Sequence, residues 1–317
     1  MAADIVLLEA RDARVEIAPA VGGAIASFRW GGDELLRPTP NAARAARNVR
    51  QFACYPLIPY SNRIADATLR THDGSTYELA RNFGDHPHAI HGVGWQGPWS
   101  VVTREPAHAM LALEHLPNGD SAKAWPFAFR ATHSFWLDSR AHTVSLTMTL
   151  AIESTDTREF PFGLGWHPFF ARDAITELGF SADGVWQTDA TCLPTRHVAI
   201  PDLWRFDPPH ALAAPLDNVF TGWTGRASIT WPQRALALTI EADRTCDHLV
   251  VYVPPALDFF AVEPATHMTD AFNRQARGEP ATGTRLIGPG QVSRCTMRIV
   301  ASMIDATDTH GAKARCG

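Results

Sequence analysis

Apolar and polar side chains alternate with a period of two along much of the chain. In HTVSLTMTLAIES, residues 142–154, Val144, Leu146, Met148, Leu150 and Ile152 fall on one face, while Ser145, Thr147, Thr149 and Glu153 fall on the other. Successive side chains of a strand point to opposite faces, so this stretch predicts a half-buried antiparallel strand. ALALTIEA (235–242) alternates in the same way, and HLVVYVP, LDFFAVEP and SRCTMRIVASMI are β-branched or aromatic runs of strand length. Turn clusters separate such runs: LPNGD, SADG, TGWTG and GPGQ. Helical periodicity is confined to NAARAARNVRQF (41–52), enough for one or two turns. With 23 prolines and 22 glycines as punctuation, the pattern predicts an all-β fold of the sandwich or barrel type.

No repeat, low-complexity linker or composition break divides the chain, so one domain over residues 1–305 is expected. Residues 306–317 carry no strand pattern and are expected to form a disordered tail. The proline-rich segment 194–215 is expected to make an irregular excursion that walls a groove.

Composition narrows the function classes. A chain of 317 residues with 45% hydrophobic and 19% charged positions can bury a large core. A net charge of −5, with arginines scattered, gives no basic field for nucleic acid or an anionic membrane. The N-terminus is neither a secretory signal nor a transit peptide, and no run is long enough to span a bilayer. Five cysteines without a CxxC suit reduced thiols, so a cytoplasmic location is expected. Ten tryptophans against four tyrosines supply flat rings that pack on a core or on the C–H face of a sugar.

Four places break the apolar pattern with chemistry. In PLIPYSNRIADATL, Asn62 and Arg63 follow a proline-bounded run, where the planar guanidinium fork can meet hydroxyls or a carboxylate. HPHAIHGVGWQGPWSV holds His86, His88 and His91, but a segment so broken by proline and glycine does not promise ligand geometry, and no metal is expected. Its glycines, with Trp95 and Trp99, predict a loop where backbone and rings approach something flat. In PFGLGWHPFF, strand parity places Phe160, Phe162, Leu164 and Trp166 on one face and Gly163, Gly165 and His167 on the other. Two positions without side chains would then leave a hollow beside the imidazole. In LDFFAVEPATHMTDAFN, Glu263 ends an apolar strand on the face of Phe259 and Ala261, where a carboxylate is costly unless partnered or used. Asp217 and Asn218 in PLDNVFTGW form either a turn or a hydroxyl-binding pair.

Taken in order, NRI, HG followed by tryptophans, GxxHPFF, LDNxF and EP followed by DAFN resemble the aldose 1-epimerase (galactose mutarotase-like) family over about residues 50–290. The GWHPFF form, with His91-Gly92-Val93 and Phe169-Phe170-Ala171, is similar to its bacterial branch. The resemblance implies a β-supersandwich with few short helices. It also implies a groove that interconverts the α and β anomers of a free monosaccharide, with no cofactor and with a monomer or homodimer as the working form. By that resemblance Glu263 is the base at the anomeric hydroxyl, His167 the acid at the ring oxygen and His91 its assistant. Arg63, Asn62 and Asp217 would hold hydroxyls, with Trp95 and Trp166 as further substrate contacts. Ring opening removes a proton from O1 while adding one to O5, which requires an acid and a base side by side. With ordinary side-chain values, Glu263 would be ionised near neutrality and would hold His167 protonated. A hexose-6-phosphate epimerase would need several cations around a phosphate, where only Arg63 is clearly placed, with Arg81 and Arg172 near the motifs. A non-catalytic sugar-binding protein would not need a matched acid and base.

Overall fold

The computed structural model describes residues 5–212 and 215–304, so the expected tail lies outside the described residues. Two large antiparallel sheets dominate. One has nine strands, ordered Ser100–Arg104, His108–His115, Phe129–Ser139, Thr143–Ser154, Val292–Met303, Leu236–Ala242, Arg226–Trp231, Glu177–Phe180 and His210–Ala211. The other has eight: Pro194–Val198, Gly184–Thr188, Leu216–Thr221, His248–Val253, Phe259–Ala265, Gly165–Trp166 and Pro56–Leu57, with Phe169–Ala171 also paired to Phe259–Ala265. The all-β supersandwich expectation therefore holds.

The alternating runs become strands where the pattern placed them. Thr143–Ser154 buries Val144, Leu146, Met148, Leu150 and Ile152 and leaves Thr147 and Thr149 half-buried. Each such large apolar side chain contributes about 1.5–3 kcal/mol when removed from water. The sheets also meet through two indole hydrogen bonds. Trp166 Nε1 donates to His133 Nε2 at 3.1 Å, and Trp231 Nε1 donates to the carbonyl of Ala171 at 2.9 Å. A buried indole N–H needs such a partner, so these bonds fix how strand Gly165–Trp166 and residue Ala171 lie over the opposite sheet.

Among the described residues the α-helices are Asn41–Ala46, Asp120–Ala124 and Ala271–Ala276. The first, followed by a 3-10 turn at Val49–Gln51, matches the expected short helix; Arg47 in the left-handed region ends it. The other two are too short for their period to show in sequence. Residues 194–215 were expected to be irregular; instead, short strands Pro194–Val198 and His210–Ala211 flank a 3-10 turn at Asp202–Trp204. No described helix is long and apolar enough to cross a membrane.

The glycines of PFGLGWHPFF require a correction. The stretch is not one strand but three short pieces, Phe160–Phe162, Gly165–Trp166 and Phe169–Ala171. A Cβ on Gly163 would lie 1.8 Å from Cδ2 of His267, and one on Gly165 would lie 2.7 Å from the carbonyl oxygen of Pro264. The missing side chains make room for His267 and for the neighbouring strand rather than for a hollow beside His167. Gly92 and Gly94 behave alike, because a Cβ on Gly92 would lie 2.3 Å from the carbonyl oxygen of Ile58 and one on Gly94 2.2 Å from Ile58 Cγ2. These two glycines thus serve the close approach of the loop to residue 58.

Gly163→Ala drives a methyl into a buried imidazole and is expected to cost about 1–3 kcal/mol, the usual range for overpacking. Urea denaturation reads this directly; an unchanged midpoint would show that His267 yields without cost.

Candidate active site

The eight-stranded sheet carries a cavity of about 430 Å³ on the face away from the nine-stranded sheet, within the range of small-molecule sites. Strand parity builds its floor. In Phe259–Ala265, Phe260 and Val262 are fully buried on the core side, while Phe259 and Glu263 line the cavity. Register places Val250 opposite Glu263, and Tyr252 opposite both Ala261 and Asp217, so the lining residues of three adjacent strands converge. His167 enters from the other side, because its N–H bonds the Tyr55 carbonyl at 3.0 Å and Phe169 bonds that of Ala53 at 2.9 Å.

His167 Nε2 lies 3.2 Å from Glu263 Oε1, and both residues are buried. Burial pushes the Glu263 carboxyl well above its usual range, with Asp217 adding to the rise and Arg63 opposing it. Burial also pulls His167 down to about 3, helped by the positive charge of Arg37. Both shifts disfavour charge, which favours a neutral carboxyl beside a neutral imidazole at this contact. The expectation of ionised Glu263 beside protonated His167 neglected this desolvation. The two descriptions hold the same single proton and differ only in which side of the contact carries it. Glu263 Oε2 and His167 Nδ1 are buried without a hydrogen-bond partner among the described residues.

His91 completes the polar wall. Its Nδ1 accepts the N–H of Asn62 at 3.0 Å, and its own N–H donates to the Asn62 carbonyl at 2.9 Å. Burial holds His91 well below the ordinary imidazole range, so the ring is neutral and its proton sits on Nε2. Asn62 and His91 both adopt left-handed backbone, φ 60° in each case, a strain that recurs where function fixes side-chain direction. Arg63 Nη1 donates to Asn62 Oδ1 at 2.9 Å and Nη2 to Asp217 Oδ2 at 3.1 Å.

The loop that carries Arg63 is held by buried acceptors. The N–H groups of Ser61, Asn62 and Asp66 donate to ring nitrogens of His267, His91 and His88 at 3.1, 3.0 and 2.9 Å. Ala65 N–H donates to Asp270 Oδ1 at 3.0 Å, and Arg70 N–H to Asn273 Oδ1 at 2.7 Å. Asp270 N–H in turn donates to the Arg63 carbonyl at 2.9 Å. The histidines thus act as neutral acceptors, which explains a histidine-rich segment without a metal role.

Of the residues singled out in sequence, Glu263, His167, His91, Asn62, Arg63 and Asp217 all line the cavity. Asn218 is turned away, its amide donating to the Trp186 carbonyl at 2.8 Å. Trp166 does not reach the cavity, since it is buried between the sheets against His133. Trp95 sits behind the wall, its ring 5.5 Å from Tyr55 and 5.9 Å from His91, and its N–H bonds the Gly92 carbonyl. Arg172 is committed to the carbonyls of Pro254 and Leu212, and neither it nor Arg81 lines the cavity. The described residues of segment 194–215 do not line it either, whereas Cys192 just before it does. The Cys192 thiol, pushed up to about 11 by burial and by Asp217, stays protonated near neutrality.

Sequence reading missed Arg50, Tyr55, Phe83, Phe259 and Tyr252 among the lining residues. For Phe259 the signal existed in strand parity with Glu263, whereas Tyr252 is placed by the register of the neighbouring strand. Arg50 and Phe83 come from irregular segments and gave none.

The aldose 1-epimerase family model matches residues 4–299. The chain belongs to the aldose 1-epimerase family. The uncharacterized protein YphB of Escherichia coli K12 is 28% identical to this chain over 267 residues, covering 81% of this chain and 87% of YphB. A crystal structure of a candidate aldose 1-epimerase from Escherichia coli K12 superposes with a TM-score of 0.84 at 26% identity, covering 95% of this chain and 99% of that one. A galactose mutarotase-like protein from Clostridium acetobutylicum gives 0.81 at 18% identity, covering 94% and 95% of the two chains. An epimerase fold thus frames the cavity.

Both cavity histidines are expected to stay neutral well below the ordinary imidazole value. An NMR titration of the free protein should show the ring C–H signals of His167 and His91 unchanged between about pH 8 and pH 5. Inflections near 6.5 would contradict the burial effect.

Proposed function

We propose that the protein is an aldose 1-epimerase that interconverts the α and β anomers of a free monosaccharide. The observation that carries this reading is the buried Glu263–His167 contact of 3.2 Å inside the cavity. O1 and O5 of a cyclic aldose are bonded to the same carbon, so the groups that exchange protons with them must be neighbours.

Glu263 as carboxylate takes the proton from the anomeric hydroxyl while His167 as imidazolium gives one to O5, and the C1–O5 bond breaks. The aldehyde then rotates about C1–C2, and the reverse transfers close the ring on the other face. The charged form of the pair is reached by moving its one proton across the existing contact. A hydroxyl donating to Glu263 Oε2 and a ring oxygen at His167 favour that form, since hydrogen bonds to a charged group stabilise it. No proton need come from solvent. His91, with its proton on Nε2, adds a donor near O5, and the Arg63–Asp217 pair offers a donor and an acceptor to ring hydroxyls.

General acid and general base contributions are each typically about 10²–10⁴-fold. Glu263→Gln and His167→Ala are therefore each expected to lower kcat by about that range, while Arg63→Ala acts mainly through KM. NMR exchange spectroscopy on a panel of aldoses, against buffer alone, measures all three. If no aldose exchanges faster with native protein than in buffer, the enzymatic reading fails; if either carboxylate or imidazole variant keeps the native rate, its role fails.

A further inference from the structure

Tyr55 differs from the other aromatic residues packed around His167 in carrying a hydroxyl that the fold does not use. Its ring is wedged in place, with centroids 4.8 Å from His167, 5.5 Å from Trp95, 6.0 Å from Phe169 and 6.2 Å from His91. Its carbonyl accepts the His167 N–H at 3.0 Å, so the two residues are tied at the backbone as well. Tyr55 is only 3% exposed, yet it lines the cavity. Among the described residues its hydroxyl bonds no protein group. Burial pushes the phenol well above its ordinary value, so it stays a neutral hydroxyl that can both donate and accept.

Packing alone does not explain this hydroxyl. Phe83, Phe169 and Phe259 line the same cavity as plain phenyl rings. A ring that only packs loses nothing as phenylalanine, whereas a nearly buried hydroxyl without a protein partner gives up hydrogen bonds it made to water. Such a group is satisfied by what enters the cavity.

Strand order says which part of a sugar reaches it, given the acid and base roles proposed above. Across the eight-stranded sheet, Leu216–Thr221, His248–Val253, Phe259–Ala265, Gly165–Trp166 and Pro56–Leu57 follow one another. Asp217 and Glu263 lie on the strands that bear them, His167 directly follows Trp166, and Tyr55 directly precedes Pro56. The order across the cavity is therefore Asp217, Glu263, His167, Tyr55. With O1 at Glu263 and O5 at His167, the ring runs from C1 through O5 to C5 towards Tyr55, and from C1 to C2 towards Asp217. The exocyclic carbon of a hexopyranose is attached to C5. We propose that Tyr55 is a specificity-determining residue whose hydroxyl bonds the exocyclic hydroxyl of a hexopyranose, so that the cavity selects hexoses over their 6-deoxy and pentose counterparts. This assignment rests on the epimerase reading and on the roles it gives Glu263 and His167.

The test uses two series of sugars matched except for the substituent on C5: galactose, 6-deoxygalactose and L-arabinose, and glucose, 6-deoxyglucose and xylose. Anomer exchange above each sugar's own buffer rate gives kcat/KM for native protein and for Tyr55→Phe, which keeps the packed ring. In the series that native protein turns over faster, the hexose is expected to exceed both truncated sugars by about three- to tenfold, the order of one neutral hydrogen bond. Tyr55→Phe should remove most of that advantage, while the ratio of 6-deoxyhexose to pentose stays as it was. A merely structural hydroxyl would lower all three sugars together and move neither ratio. Equal turnover of the three sugars by native protein, or a hexose advantage that Tyr55→Phe does not reduce, overturns the inference and leaves the epimerase reading standing. No acceleration of any sugar overturns both.

Discussion

A carboxylic acid and an imidazole with too little water around them to be charged separately set the terms for the rest of this protein. Desolvation raises Glu263 and lowers His167 by the same mechanism, and their 3.2 Å contact makes the two shifts compatible with one shared proton. Holding a carboxylic acid inside a sheet requires that every neighbour be placed for it. The strand Phe259–Ala265 does this by alternation, with Phe260 and Val262 turned into the core while Glu263 faces out of it. His167 is fixed from the backbone of residues 53–57, which run beside it.

The same economy of water shapes the loop of Arg63. Its amides are accepted by His267, His91, His88, Asp270 and Asn273 instead of by solvent. An imidazole can accept an N–H only while neutral, so burial, which keeps these rings uncharged, also keeps the loop in place. Gly163 belongs to this arrangement through His267, whose ring occupies the space a side chain would fill. Catalytic geometry in the proposed reaction thus rests on second-rank residues, several of them far away in sequence.

Alternation made the long strands legible, because Thr143–Ser154 and Phe259–Ala265 each bury one face and period two records that. The same parity placed Glu263 correctly beside Phe259. It misled at PFGLGWHPFF, where the chain breaks twice and a face cannot be counted across the breaks. Trp166 shows the related difficulty: an indole suits a sugar or a core equally, and only the His133 partner decides. Protonation was the least legible property, since ordinary pKa values are sequence properties and desolvation is not. Arg50 gave no signal because its cation–π partner Phe83 is brought beside it only by folding.

A pair that keeps a constant count of one proton and exchanges none with solvent is the central claim, and proton linkage on binding measures it most directly. Isothermal titration calorimetry of an aldose that the protein turns over, run at about pH 7 in two buffers of different ionisation enthalpy, counts protons exchanged with solvent. The account predicts the same apparent enthalpy in both buffers, hence no net uptake or release. A difference corresponding to an uptake or release approaching one proton per site would contradict it.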